Sequence, residues 1–140
     1  MRPVGNTLRA VPRILNPVVH AYERRLIRYG PTAQGVFWKN KEWQFRRYVI
    51  LEGIFDDLAQ AGGITIHDFG CGYGSLFEYL ADKNVMKLSR YIGTDMSQGM
   101  INAAKSRHQD PRAHFVCGVT ARQTADYTIV SGTYNMHMGA

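Results

Sequence analysis

From Val18 to Tyr29 the apolar residues Val18, Val19, Tyr22, Leu26 and Tyr29 recur three or four positions apart, with Arg24, Arg25 and Arg28 set between them. Side chains at that spacing share one face of a helix, so the segment predicts an amphipathic helix that Gly30-Pro31 ends. A second stripe, Trp43, Arg47, Ile50, Leu51, Ile54 and Leu58, predicts another helix, closed by the turn Ala61-Gly62-Gly63 and separated from the first by a loop over 32–40. Ahead of both, Pro3, Gly5, Pro12 and Asn16-Pro17 are dense enough in chain breakers to predict an extended or disordered lead-in over residues 1–16.

After Gly63 the pattern shortens into β-rich runs separated by a longer helical stretch, which predicts βαβ units and a mostly parallel sheet. The expected elements are a strand over 64–69, a helix over 75–83, a strand over 91–94, a helix capped by Ser97 and running to about His108, then strands over 113–117 and 126–131. The link 118–125 is short for a parallel crossover, so it is expected to cross without a proper helix. Three segments result: a basic lead-in (1–16), a helical segment (17–60) and an α/β half-domain (61–140).

Charge divides along the same boundary. Residues 1–48 hold ten Lys/Arg against Glu23 and Glu42, and residues 49–140 hold seven against nine acids. Such a basic arm attracts nucleic acid or other polyanions, but its arginines are spread along a helix, the pattern of a solvated face. Two cysteines, Cys71 and Cys117, are too few for a disulfide framework, and neither stands at metal-ligand spacing, so no metal is expected. No apolar run reaches the ~20 residues that span a bilayer. A cytoplasmic protein is expected.

The candidate chemistry lies in His67-Asp68-Phe69-Gly70-Cys71-Gly72-Tyr73-Gly74, between a predicted strand and a predicted helix. Glycines at 70, 72 and 74 permit positive φ and a close approach of main chain to a ligand. The spacing is G-x-G-x-G rather than the dinucleotide G-x-G-x-x-G. An acid two residues before the first glycine suits a cationic ligand group better than a pyrophosphate. A second acid, Asp95, ends the next strand 21 residues beyond Gly74, where a carboxylate can accept hydrogen bonds from both hydroxyls of a ribose. Met96 beside it is placed to pack on an adenine ring or, equally, in the core.

These residues resemble the first two motifs of the class I (Rossmann-like) S-adenosylmethionine-dependent methyltransferases. The resemblance covers roughly residues 20–135. It implies a three-layer sandwich whose strand order begins 3-2-1-4, with Asp68 near the amino group of S-adenosylmethionine and Gly70, Cys71, Gly72 and Gly74 against its methionine part. The family's acid after strand three is missing, where this chain reads Cys117-Gly118-Val119. Adenine recognition is then left to main chain near Gly118 and Val119. Ser131-Gly132-Thr133-Tyr134-Asn135 falls where such enzymes begin to face the methyl group, which makes Ser131 a cofactor contact, and Tyr134, Asn135 and His137 candidates to orient or deprotonate an acceptor. The run lacks the Asn/Asp-Pro-Pro-aromatic tetrad of many amino-methyltransferases of DNA and glutamine side chains.

Tyr29-Gly30, Gly35-Val36-Phe37-Trp38 and Gln44-x-x-Arg47-Tyr48 resemble a lid-forming segment that precedes the first motif in some small bacterial methyltransferases. In such a lid Trp38 covers the site and Arg47 pairs with the cofactor carboxylate; the alternatives are an aromatic at a helix junction and a surface arginine. The family usually has seven strands, and strands 5–7 are absent here, which leaves strand four as an edge and predicts a homodimer that covers it. The expected function is methyl transfer to a small-molecule acceptor. A non-catalytic S-adenosylmethionine-binding module and an RNA-directed methyltransferase using the basic arm are the alternatives. No membrane partner is expected.

Overall fold

A computed structural model describes residue 13 and residues 16–32, 41–119 and 124–130. In chain order it contains helices α1 (Asn16–Tyr29), α2 (Lys41–Glu52) and α3 (Asp57–Gln60), strand β1 (Thr65–Phe69), helix α4 (Ser75–Leu80), a 3-10 turn (Asn84–Met86), strand β2 (Arg90–Asp95), helix α5 (Gln98–Arg107) and strands β3 (Ala113–Cys117) and β4 (Tyr127–Ile129). The four strands are all parallel and ordered β3-β2-β1-β4, as the resemblance implies. Both β1–β2 and β2–β3 are paired over five residues, whereas β1–β4 is paired over three, Ile66 to Tyr127 through Asp68 to Ile129.

The pairing register puts Ile66, Asp68, Tyr91, Gly93, Phe115 and Ile129 on one face of the sheet. That face carries the main core, where Ile66, Tyr91, Phe115 and Ile129 pack with Leu76, Phe77 and Leu80 of α4 and Ile101 and Ala104 of α5. Helix α5 follows its sequence pattern closely. Ser97 caps it by accepting from the Met100 amide at 3.2 Å, Met100, Ile101 and Ala104 are buried, and His108 closes it. Helix α1 begins two residues earlier than its apolar stripe does, and Leu26 packs on Met100 of α5 and Tyr73.

The second predicted helix is two helices. It stops at Glu52, turns through Gly53 and restarts at α3, where the Asp56 side chain accepts from the Ala59 amide at 2.8 Å. Its expected inner face is also corrected. Of the stripe, Leu51 packs against the core, but Trp43, Ile50, Ile54 and Leu58 are exposed, Ile50 by 77% and Leu58 by 83%. The buried residues of α2 are Gln44 and Tyr48. The reason is that polar partners on the neighbouring loop, together with an aromatic cluster of Phe45, Tyr48 and Tyr79 at centroid separations of 5.5–5.9 Å, orient the helix. The turn that closes α3 is held by shape: Gly62 has φ +89, and a Cβ there would fall 2.1 Å from the Lys87 carbonyl oxygen. Of the 1–16 lead-in only Arg13 and Asn16, the first residue of α1, are among the described residues, and residues 120–123 of the 118–125 link lie outside them.

Candidate functional site

At the end of β1 the chain turns through Gly70 (φ +77) into a loop bonded to the end of β2. The Gly70 and Cys71 amides both donate to the Thr94 carbonyl, at 2.8 and 2.9 Å, and the Gly72 amide donates to Asp95 Oδ2 at 2.9 Å. Gly74 (φ +87) then starts α4. A Cβ at 74 would stand 2.8 Å from His108 Cδ2 and 3.0 Å from the Phe115 ring, so this position demands glycine because of the protein's own packing. Gly93 of β2 is constrained in the same way, since a Cβ there would meet Cys71 Sγ at 2.8 Å. Buried Cys71 therefore lies between loop and sheet, and burial pushes its thiol well up.

The two acids stand at neighbouring strand ends in different surroundings. Asp68 is 2% exposed; its Oδ2 accepts from the Tyr91 hydroxyl at 2.5 Å and its Oδ1 has no hydrogen-bond partner. A buried acceptor without a donor is costly and marks a place where a missing partner fits. Burial first, and the nearby Asp95 charge second, push the Asp68 carboxyl up to about 7 against the opposing Tyr91 bond. Asp95 is partly buried and is held on both oxygens by main chain, Oδ1 by the Ser97 amide at 2.9 Å and Oδ2 by the Gly72 amide. Burial raises its carboxyl too, countered by the amides of Ser97, Gly72 and Met96. A carboxylate offers about four lone-pair positions, so the two oxygens of Asp95 retain acceptor capacity.

Helix α2 sits against the loop through polar side chains. Gln44 Oε1 accepts from the Tyr73 hydroxyl at 3.1 Å, and the Tyr48 and Ser75 hydroxyls share a short hydrogen bond, all four residues being buried. From the other side, α1 reaches the start of α5: Ser97 Oγ donates to Glu23 at 3.4 Å, and Leu26 contacts the position of Gly99. Arg107 ties these pieces together, bonding the Pro31 carbonyl and Glu78 at 3.1 Å each while its guanidinium lies 5.1 Å from the Tyr73 ring centroid.

Asp68, Gly70, Cys71, Gly72, Gly74, Asp95 and Met96 thus come together at the C-terminal edge of the sheet. Gly118 joins them, its amide donating to the Asp95 carbonyl at 2.8 Å, with half-buried Val119 next to it. Arg47 lies on the exposed side of α2. Trp38, Ser131, Tyr134, Asn135 and His137 lie outside the described residues. Motif reading gave Tyr91 and Gly93 no role, and gave Gln44 and Tyr48 none beyond their place in the lid-like segment. Tyr91 is the diagonal neighbour of Asp68 on the same face, a relation that the strand register sets.

A parallel sheet ordered β3-β2-β1-β4, with a glycine loop after β1 and an acid closing β2, is the nucleotide-binding part of a Rossmann-like fold, where ligands meet the carboxyl ends of the strands. Residues 66–138, more than half of the chain, match the family described as "Methyltransferase domain". The chain belongs to that family, the class I Rossmann-like S-adenosylmethionine-dependent methyltransferases.

A Mycobacterium tuberculosis protein with a provisional methyltransferase name, Rv1506c, is 38% identical over 79 residues, which are 56% of this chain and 46% of that protein. The chain spans about half the length of the curated relative it matches. The cyclopropane synthase MmaA2 of the same organism superimposes with a TM-score of 0.55 at 17% identity, over 67% of this chain and 33% of MmaA2, a likeness of fold. An S-adenosylmethionine-dependent methyltransferase of Geobacter sulfurreducens, solved with S-adenosyl-L-homocysteine, gives a TM-score of 0.48 at 22% identity, covering 63% of this chain and 36% of that one. Among the described residues no helix is long and apolar enough to cross a membrane.

Proposed function

We propose that the chain binds S-adenosylmethionine at the C-terminal ends of β1, β2 and β3 and transfers its methyl group to a small-molecule acceptor in the cytoplasm. The observation that carries this reading is Asp68 Oδ1, a buried acceptor with no donor at the end of β1. An ammonium group supplies the missing donors and offsets the cost of a buried negative charge. Asp95, held in place by two amides, accepts from the ribose hydroxyls. The glycine loop lies against the methionine part, Met96 packs on the adenine, and main chain at Gly118 and Val119 meets its edge. In the same reading Arg47 takes the cofactor carboxylate, Trp38 and α2 exclude water, Ser131 contacts the cofactor, and Tyr134, Asn135 and His137 face the acceptor.

The bound cofactor supplies an electrophilic methyl on a sulfonium. The residues of this chain hold and orient it, and an acceptor already deprotonated needs no fixed base, so positioning is the main task of the protein. Among the described residues β4 is an edge strand, and pairing of two copies along it belongs to this reading, with a gel-filtration mass of a monomer counting against it.

Isothermal titration with S-adenosyl-L-homocysteine tests the binding half of the reading, with micromolar affinity at pH 8 as the expected result and no heat as the result that sinks it. Transfer of labelled methyl to a panel of small acceptors tests the second half. Binding without turnover on any acceptor identifies a regulatory module instead.

A further inference from the structure

We propose that Tyr91 is a positioning residue of the cofactor site, its hydroxyl fixing one oxygen of Asp68 so that the other is presented to the cationic amino group of the ligand. The inference rests on the cofactor reading above. Tyr91 is fully buried, with its ring 5.2 Å from the Phe77 centroid and 5.8 Å from that of Phe115. Those rings hold the phenol in place, and a phenylalanine would fill the same space. Packing therefore accounts for the ring and leaves the hydroxyl, whose bond is to Asp68 Oδ2 at 2.5 Å. With Oδ2 taken, the carboxylate is turned so that Oδ1 is the atom left for a donor.

The same bond bears on charge. The groups that face Asp68 are Tyr91 and Asp95 from β2, Tyr48 from α2 and Cys71 from the glycine loop, while β4 places Ile129 opposite it. Burial raises Tyr48, Tyr91 and Cys71, which keeps all three neutral, and the Asp95 charge opposes ionisation of Asp68. The Tyr91 hydroxyl works in the opposite direction, stabilising the carboxylate. Without it the site loses both an orientation and part of its negative charge near neutral pH.

The test is the pH profile of S-adenosyl-L-homocysteine binding from pH 5.5 to 8.5, by titration calorimetry, for the wild-type chain and Tyr91→Phe. The wild type is expected to weaken as pH falls below about 7, where Asp68 takes up a proton. Losing one charge-assisted hydrogen bond moves that midpoint up by about one pH unit, so Tyr91→Phe binds about fivefold more weakly at pH 7. The gap narrows toward pH 8.5. A structural role alone lowers the melting temperature without moving the midpoint, and coincident midpoints overturn the inference.

Should Tyr91→Phe not fold, 3-fluorotyrosine at position 91 serves. Its more acidic hydroxyl moves the midpoint down, and an unmoved midpoint again overturns the inference. Absence of wild-type binding at every pH sinks the cofactor reading instead. The Asp68 carboxyl titration followed by carbon NMR in the ligand-free chain then still decides whether Tyr91 holds that group: a higher midpoint in Tyr91→Phe supports it, and an unchanged one refutes it.

Discussion

The ends of β1 and β2 each present an aspartate to the same edge of the sheet, yet they are finished in opposite ways. Asp95 is braced by main chain: each oxygen accepts one amide, one of which belongs to the glycine loop, and each keeps a lone pair to spare. Asp68 is sealed from water with one oxygen bonded and one left over. The first carboxylate serves the fold whether or not a ligand is present. The second is a liability until something cationic arrives. One carboxylate is fixed by main chain before any ligand binds, and the other is left with an oxygen unmet.

The largest expected effect separates the two. Asp68→Asn removes the charge proposed to meet the ligand's amino group and is expected to weaken S-adenosyl-L-homocysteine binding roughly 10- to 100-fold, the worth of one charge-assisted hydrogen bond. The same substitution stabilises the ligand-free chain at pH 8. The folded-state Asp68 carboxyl titrates near 7, above the ordinary value of 3.8, so the folded chain binds more protons than the unfolded one between those values. The contribution of this group is then greatest at low pH and is lost as pH rises toward 7. Melting curves of Asp68→Asn and wild type should diverge with rising pH across that window and run parallel above it.

Asp95→Asn comes next and breaks the comparison from the other side. An asparagine can accept one of the two amides but turns an NH2 toward the other, which costs about 1.5–3 kcal/mol of stability. Denaturant unfolding should show that loss, no smaller at pH 5 than at pH 8, because burial raises the Asp95 carboxyl and its contribution falls as pH rises. Smallest is Gln44→Leu, which strips the acceptor from the buried Tyr73 hydroxyl at a cost of about 1 kcal/mol. Its signature is a modest fall in melting temperature, with a larger Kd because the glycine loop loses its support from α2.

Much of this was readable along the chain. The 113–117 strand is found over the expected residues, and α5 carries the Ser97 cap and ends at His108 as expected. Asp68, the glycines and Asp95 were legible because a strand, a tight turn and the next strand are close in sequence. Helix α2 was not. Periodicity ranks faces by hydrophobicity, and α2 is oriented by hydroxyl and amide contacts with Tyr73 and Ser75, about 30 residues away, which no local pattern encodes. The Tyr91–Asp68 bond escaped for a related reason, since it depends on strand register, and register is set by the assembled sheet.

The loop after β1 has a consequence in time as well as in space. Its amides at Gly70, Cys71 and Gly72 are already bonded to Thr94 and Asp95. Deuterium should therefore enter these three positions slowly even in the empty protein, at a rate governed by separation of β1's end from β2's. Adding ligand would slow that exchange by the ligand's own binding energy and leave the pattern of protection unchanged. The loop is braced before any ligand arrives.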